Sequence, residues 1–231
     1  MTRPRITTSD QLSNAELTIS NSLNDAELKA LVAPYGYNDE KLAEGKQLYD
    51  AARAAVSAQE DATGAQQAAT KTLLAAQEQA NAAYQALAKM ARAVADPTAL
   101  TRLGLGGRMP QSIGAFLAAA GTLFDNAPNI PELSKYGYNA AKLTDERAKI
   151  SAYSVANRSQ ETAKTVAKAA TVAQNAALTA LNKWTAQYIK VARVALSAQP
   201  EMLGRLGVTA RSGPTAAQRA ARKKKTTPPA S

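Results

Sequence analysis

Steps of three and four residues pick out Leu42, Gly45, Tyr49, Ala52 and Val56, then Gln59, Thr63, Gln66 and Thr70, then Leu73, Gln77, Ala80, Tyr84, Leu87, Ala91 and Val94. This is a sustained heptad seam, apolar at both ends and polar in the middle. Polar seam residues cost stability but set register and partner number, so Gln59 and Thr70 are expected to act as specificity devices. From Asp39 to Asp96 there is no proline and only Gly45 and Gly64, and from Asn139 to Gln199 there is neither glycine nor proline. Such runs of Ala, Lys, Gln, Glu, Thr and Leu predict one very long helix in each stretch. The alternative is that each segment turns back near Gly64 and Thr165, giving a four-helix bundle of shorter helices.

The pattern occurs twice. Tyr35-Gly36-Tyr37-Asn38 with Lys41-Leu42 returns 101 positions on as Tyr136-Gly137-Tyr138-Asn139 with Lys142-Leu143, and at the same offset Gln59 falls on Gln160 and Thr70 on Thr171. A gapless offset implies two copies of equal length and a pseudo-two-fold architecture. Asn38 and Asn139 suit the N-cap, Tyr37 with Leu42 and Tyr138 with Leu143 suit a hydrophobic staple, and Gly36 and Gly137 allow the sharp turn ahead of each helix. Asp96-Pro97 and Gln199-Pro200 mark the ends, with Arg92 and Arg193 complementing the helix dipole.

A shorter element precedes each long helix. Ser112 can cap a helix whose apolar face is Ile113, Phe116, Leu117, Ala120, Leu123 and Phe124; Leu12, Ile19 and Leu23 form a more polar counterpart, followed by a helical stretch from Asp25 to Ala33. The segment from Ile113 to Phe124 is apolar enough to suggest a membrane-active helix, but it falls short of the roughly 20 residues that span a bilayer, and a core-packing role is expected. The fold expected is all-α: two tandem repeats, each a short helix plus a very long helix, forming an elongated antiparallel bundle or coiled coil. Its boundaries are a flexible N-terminus at 1–8, repeats at 9–109 and 110–208, and a disordered basic tail at 209–231.

Composition narrows the chemistry. The chain has no Cys and no His. This removes disulfides, thiolate nucleophiles, the commonest general base and the commonest transition-metal ligand, and no catalytic residue, cofactor or metal site is assigned. Asp39-Glu40 and Asp145-Glu146 read as charges near a helix start. In Gly104-Leu105-Gly106-Gly107-Arg108 neither a phosphate-binding Gly-Lys-Ser/Thr nor a preceding strand is present, so a helix-ending turn is expected. The corner residues Tyr35, Gly36, Tyr37, Asn38, Tyr136, Gly137, Tyr138 and Asn139 are expected to be structural, with packed rings.

The net charge is +10, and no acidic residue follows Glu201. Arg211, Arg219, Arg222, Lys223, Lys224 and Lys225 fit a weak contact with nucleic acid or another polyanion through counterion release, without sequence readout. The start of the chain lacks the apolar run of a secretory signal and no stretch spans a bilayer, so a cytoplasmic location is expected.

Lys135-Tyr136-Gly137-Tyr138, Val191-Ala192-Arg193-Val194-Ala195-Leu196 and Leu206-Gly207 give the chain a resemblance to bacterial proteins of unknown function built as tandem helical repeats. The first copy departs from that pattern at Pro34 and at Ala91-Arg92-Ala93-Val94-Ala95. The resemblance implies an all-helical repeat and transfers no catalytic residue. The function expected is non-enzymatic, a helical scaffold or assembly subunit with protein partners or a homodimer that completes a four-helix cross-section. Nucleic-acid or polyanion binding by the tail is the alternative.

Overall fold

The computed structural model describes residues 7–108 and 110–208, and among them every regular element is helical. Helix α1, Thr8–Asn24, opens on a capping box in which the Thr7 hydroxyl accepts from the Asp10 N–H and the Asp10 carboxylate accepts from the Thr7 N–H. Thr7 and Thr8, expected to lie in a flexible N-terminus, therefore cap and begin a helix. Asp25 stops α1 and caps α2, Ala26–Val32, accepting from the N–H groups of Glu27 and Leu28 at 3.0 and 3.1 Å. A 3₁₀ turn, Ala33–Tyr35, then ends on Gly36 at φ 88°. A side chain there would be strained, and the chain reverses sharply enough for Asn38 to cap the next helix.

That helix, α3, runs from Asp39 to Val94, 56 residues without a break. Asp96 caps α4, Pro97–Arg102, and Ser112 caps α5, Ile113–Asn126. After a 3₁₀ turn, Ala127–Asn129, comes α6, Pro131–Lys135, and Gly137 at φ 91° repeats the corner made by Gly36. Helix α7, Ala140–Ala195, is again 56 residues long. A 3₁₀ segment, Pro200–Leu206, closes on Gly207 at φ 69°. Both long helices pass Gly64 and Thr165 unbroken, so the fold-back alternative does not hold. The caps are those expected: the N–H groups of Lys41 and Lys142 donate to the side chains of Asn38 and Asn139 at 3.0 and 2.9 Å.

The described residues divide into two compact units, one drawn from 1–57 and 172–231 and the other from 58–171. Each takes the first part of one repeat and the last part of the other, so the packing units cut across the boundary at 109/110 instead of following it.

In the first unit, Ala15, Ile19, Leu28, Val32, Leu42 and Ala52 pack with Leu181, Trp184, Tyr188, Ala192 and Leu206. Its centre is aromatic. Trp184 stacks on Tyr188 with centroids 5.3 Å apart, and Tyr37 meets the Trp184 edge at 5.8 Å and the Tyr188 ring at 4.8 Å. Gly45 makes room for the indole, because a methyl group at that position would overlap Trp184.

A buried polar chain crosses this unit. The Ser22 hydroxyl lies 2.6 Å from both the Thr18 carbonyl and the Tyr188 hydroxyl. Since Ser22 must donate to the carbonyl, Tyr188 donates to Ser22. Both residues are buried, so Ser22→Ala strands the phenol proton at a cost of about 1–3 kcal/mol. Adding Tyr188→Phe removes the stranded group, and the double variant is expected to be more stable than Ser22→Ala alone, as urea midpoints will measure.

The second unit gathers Ala80, Ala83, Tyr84, Leu87 and Ala91 with Leu103, Phe116, Ala120, Leu123, Leu133, Leu143 and Tyr153. Phe116 lies between Tyr84 and Tyr153, at 5.5 and 5.8 Å. The expected face of α5 is the packed one: Phe116, Ala120, Leu123 and Phe124 are buried. The seam holds as well. Its apolar ends are buried, apart from Val56 and Val94, which are half-buried, and Gln59, Thr63, Gln66, Thr70, Leu73 and Gln77 are half-buried.

Candidate interaction surface

From residue 58 to residue 79 of α3 only Ala62 is buried, and from 157 to 171 of α7 only Ala167 is. The reason is local. Small side chains on these stretches remove little area from water, at about 25 cal/mol per Å², and among the described residues they stay mostly exposed or half-buried. Between Ala62 and Ala65 of α3 and Val155, Arg158, Ser159, Thr162 and Val166 of α7 runs an open groove of about 470 Å³. Val155 and Val166 are 52% and 53% exposed, an unfavourable setting for branched apolar side chains.

The polar seam residues of this region act within their own helices. Gln59 donates to the Thr63 hydroxyl at 2.9 Å, Thr70 to the Gln66 carbonyl at 2.9 Å, and Thr171 to the Ala167 carbonyl at 2.9 Å. Gln160 is half-buried and Thr171 exposed. None of these hydrogen bonds passes between helices, so Gln59, Thr70 and Thr171 set no register through the bonds they make here. Hydroxyls in a helix interior return to the carbonyl four residues back, which satisfies them without a partner.

Glu146 departs from its expected place as a charge near a helix start. It is 6% exposed and accepts from Lys142 at 2.6 Å and Lys149 at 2.7 Å. Burial pushes its pKa up, but the hydrogen bonds and charges of the two lysines outweigh burial and hold the carboxyl below the ordinary 4.5. With the folded pKa lowered, the stabilisation is complete above pH 4.5 and drains away as pH falls through the folded value. The stability gap between the wild type and Glu146→Gln should therefore stay constant from neutrality to that pH and narrow below it, as urea titrations at stepped pH will record.

The corners divide their roles. Tyr37 is buried and Tyr138 half-buried against its core, whereas Tyr35 and Tyr136 stand 51% and 58% exposed, so the first ring of each corner is not packed as expected. Gly104, at φ 71°, donates to the Thr101 carbonyl and terminates α4, the helix-ending turn expected of the 104–108 segment. Arg211, Arg219, Arg222, Lys223, Lys224 and Lys225 lie outside the described residues. Among the described residues no group of three acidic side chains converges as a metal site, and no helix is long and apolar enough to cross a membrane. No protein-family model, curated protein or solved structure matches the chain.

The groove carries no sequence motif, and the repeated Tyr-Gly-Tyr-Asn corner does not show that Tyr35 and Tyr136 stand exposed. The polar middle of the seam was the only signal, and it points to where the long helices lack an apolar seal.

Proposed function

We propose that this chain is a non-enzymatic interaction protein, a helical scaffold or assembly subunit, that works by covering the open face of α3 and α7 within residues 58–171. The observation that carries this reading is the groove with Val155 and Val166 half in water, bounded by stretches that bury almost nothing of their own. Helices are held in proteins mainly by packing of one face, so a long uncovered stretch gains most from a partner. The absence of His and Cys from the whole sequence supports a task without acid–base or thiolate chemistry, and the resemblance to tandem helical repeats agrees with it. Lys71, Lys164 and Lys168 lie on the stretches that flank the groove. An amine-reactive crosslinker applied to the protein in extract of its native cells should join partners through these three lysines. Crosslinks confined to other lysines, or reproducible turnover by the purified protein, would overturn the reading.

Charge distribution supports a second role. All 18 acidic residues but only 20 of the 28 Lys and Arg fall in 7–108 and 110–208, so the excess of positive charge belongs to the chain ends. Contact of the six cations from Arg211 to Lys225 with duplex DNA would give a slope of log K against log salt of about −5. Deleting 211–231 should abolish that binding, and binding unchanged by the deletion would eliminate the tail as its cause.

A further inference from the structure

Resting on the interaction reading above, we propose that the occupant of the groove is a second copy of this chain, docked about a two-fold axis through residues 58–171. A two-fold contact sets a patch against itself, so the patch must be self-complementary in shape and in charge. The shape allows it. Val155, Ser159, Thr162 and Val166 recur at helical spacing along one face of α7, and opposite them α3 offers Ala62 and Ala65. Small residues let the backbones of two such pairs approach closely, giving the four-helix cross-section in which two helices from each copy seal one another.

The charges point the same way. Arg158 lines the groove on α7, and on α3 the exposed Asp61 lies one turn before Ala65, which lines it. Among the described residues neither has an ion-pair partner. A patch bearing a single sign would repel its own copy, whereas this one brings the Arg158 edge of one molecule towards the Asp61 edge of the other. The cationic segment 211–225 is a poorer occupant, since it would add positive charge beside Arg158 and has little apolar surface to offer the two valines.

Sedimentation equilibrium of the full chain should show a dimer at about 100 μM, a concentration that populates even a weak specific interface. Val155→Lys and Val166→Lys alter exposed side chains, so helicity and thermal melting of each monomer should be kept while the dimer weakens by about tenfold or more, the effect of charging an interface centre. Arg158→Asp and Asp61→Arg should each weaken the dimer, and the two together should restore it. Because the chain has no cysteine, Ser159→Cys provides a unique crosslinking site, and a short bismaleimide should yield a covalent dimer. A monomer at that concentration, a dimer indifferent to the lysine substitutions, or charge reversals that fail to rescue each other would overturn the proposal. So would loss of the dimer on removing 209–231 alone, which would assign the groove to the tail. If the purified protein is monomeric while extract crosslinks still map to Lys71, Lys164 and Lys168, the second copy is excluded and a different protein fills the scaffold's face.

Discussion

Gly45→Ala is expected to destabilise the protein by about 1–3 kcal/mol, the usual result of forcing a methyl group into a filled core. On helix propensity alone the substitution should stabilise by about 1 kcal/mol, because glycine in a helix interior carries excess backbone freedom. The two effects have opposite signs, and the Trp184 ring decides between them by occupying the space that the new Cβ needs. Trp184→Ala by itself should cost about 3–5 kcal/mol, since the indole is 6% exposed and makes ring contacts with Tyr37 and Tyr188. In the Trp184→Ala background the obstacle is gone, and Gly45→Ala should there stabilise by about 0.5–1 kcal/mol. A double-mutant cycle read from urea midpoints tests the inversion of sign. If Gly45→Ala is stabilising in the wild type, the indole can move aside and the contact does not explain the glycine.

This pair shows where the fold was legible in the sequence and where it was not. Seam, caps and corners obey local rules: a period near 3.6, an Asn three residues before a donor, a glycine where φ must be positive. They could be read from residues that the two copies share. Leu42 and Leu143, Ala91 and Ala192, and Leu105 and Leu206 are core positions that the copies share, but the centre of each core is built from residues that they do not share. At the 101-residue offset Gly45 becomes Glu146 and Trp184 becomes Ala83, so one unit opens space for an indole while the other fills the matching position with a carboxylate held by two lysines. Likewise Ser22 and Tyr188, hydrogen-bonded in the first unit, are replaced by Leu123 and Leu87 in the second. In each exchange one residue of the pair is larger and the other smaller than its counterpart, on elements well separated in the chain, and no rule of local periodicity carries that information. A glycine at a seam position and a single tryptophan were visible separately; their pairing required the packed structure. The groove was hidden for a related reason, because a face is identified as uncovered only once the covering helices have been placed.

Phe116→Ala carries the corresponding prediction for the second unit, a loss of about 3–5 kcal/mol. Phe116 is 4% exposed and wedged between Tyr84 of α3 and Tyr153 of α7, so one ring from a short helix bridges both long ones. Its truncation empties the centre of that trio, and neither tyrosine can refill the space without giving up its own packing. Ala15 occupies the equivalent place in the first unit, where the aromatic volume comes from the long helices and the Tyr37 corner instead. The effect should therefore be specific to position: Ala15→Phe adds a ring where the space is already filled and should cost about 1–3 kcal/mol instead of stabilising. Hydrogen exchange separates the two cases. Phe116→Ala should speed exchange chiefly in 113–126 and Ala15→Phe chiefly in 8–24, because each short helix is held by its own unit's core. A loss below about 1 kcal/mol for Phe116→Ala would mean that the trio collapses freely around the gap, and the bridging role assigned to this ring would be wrong.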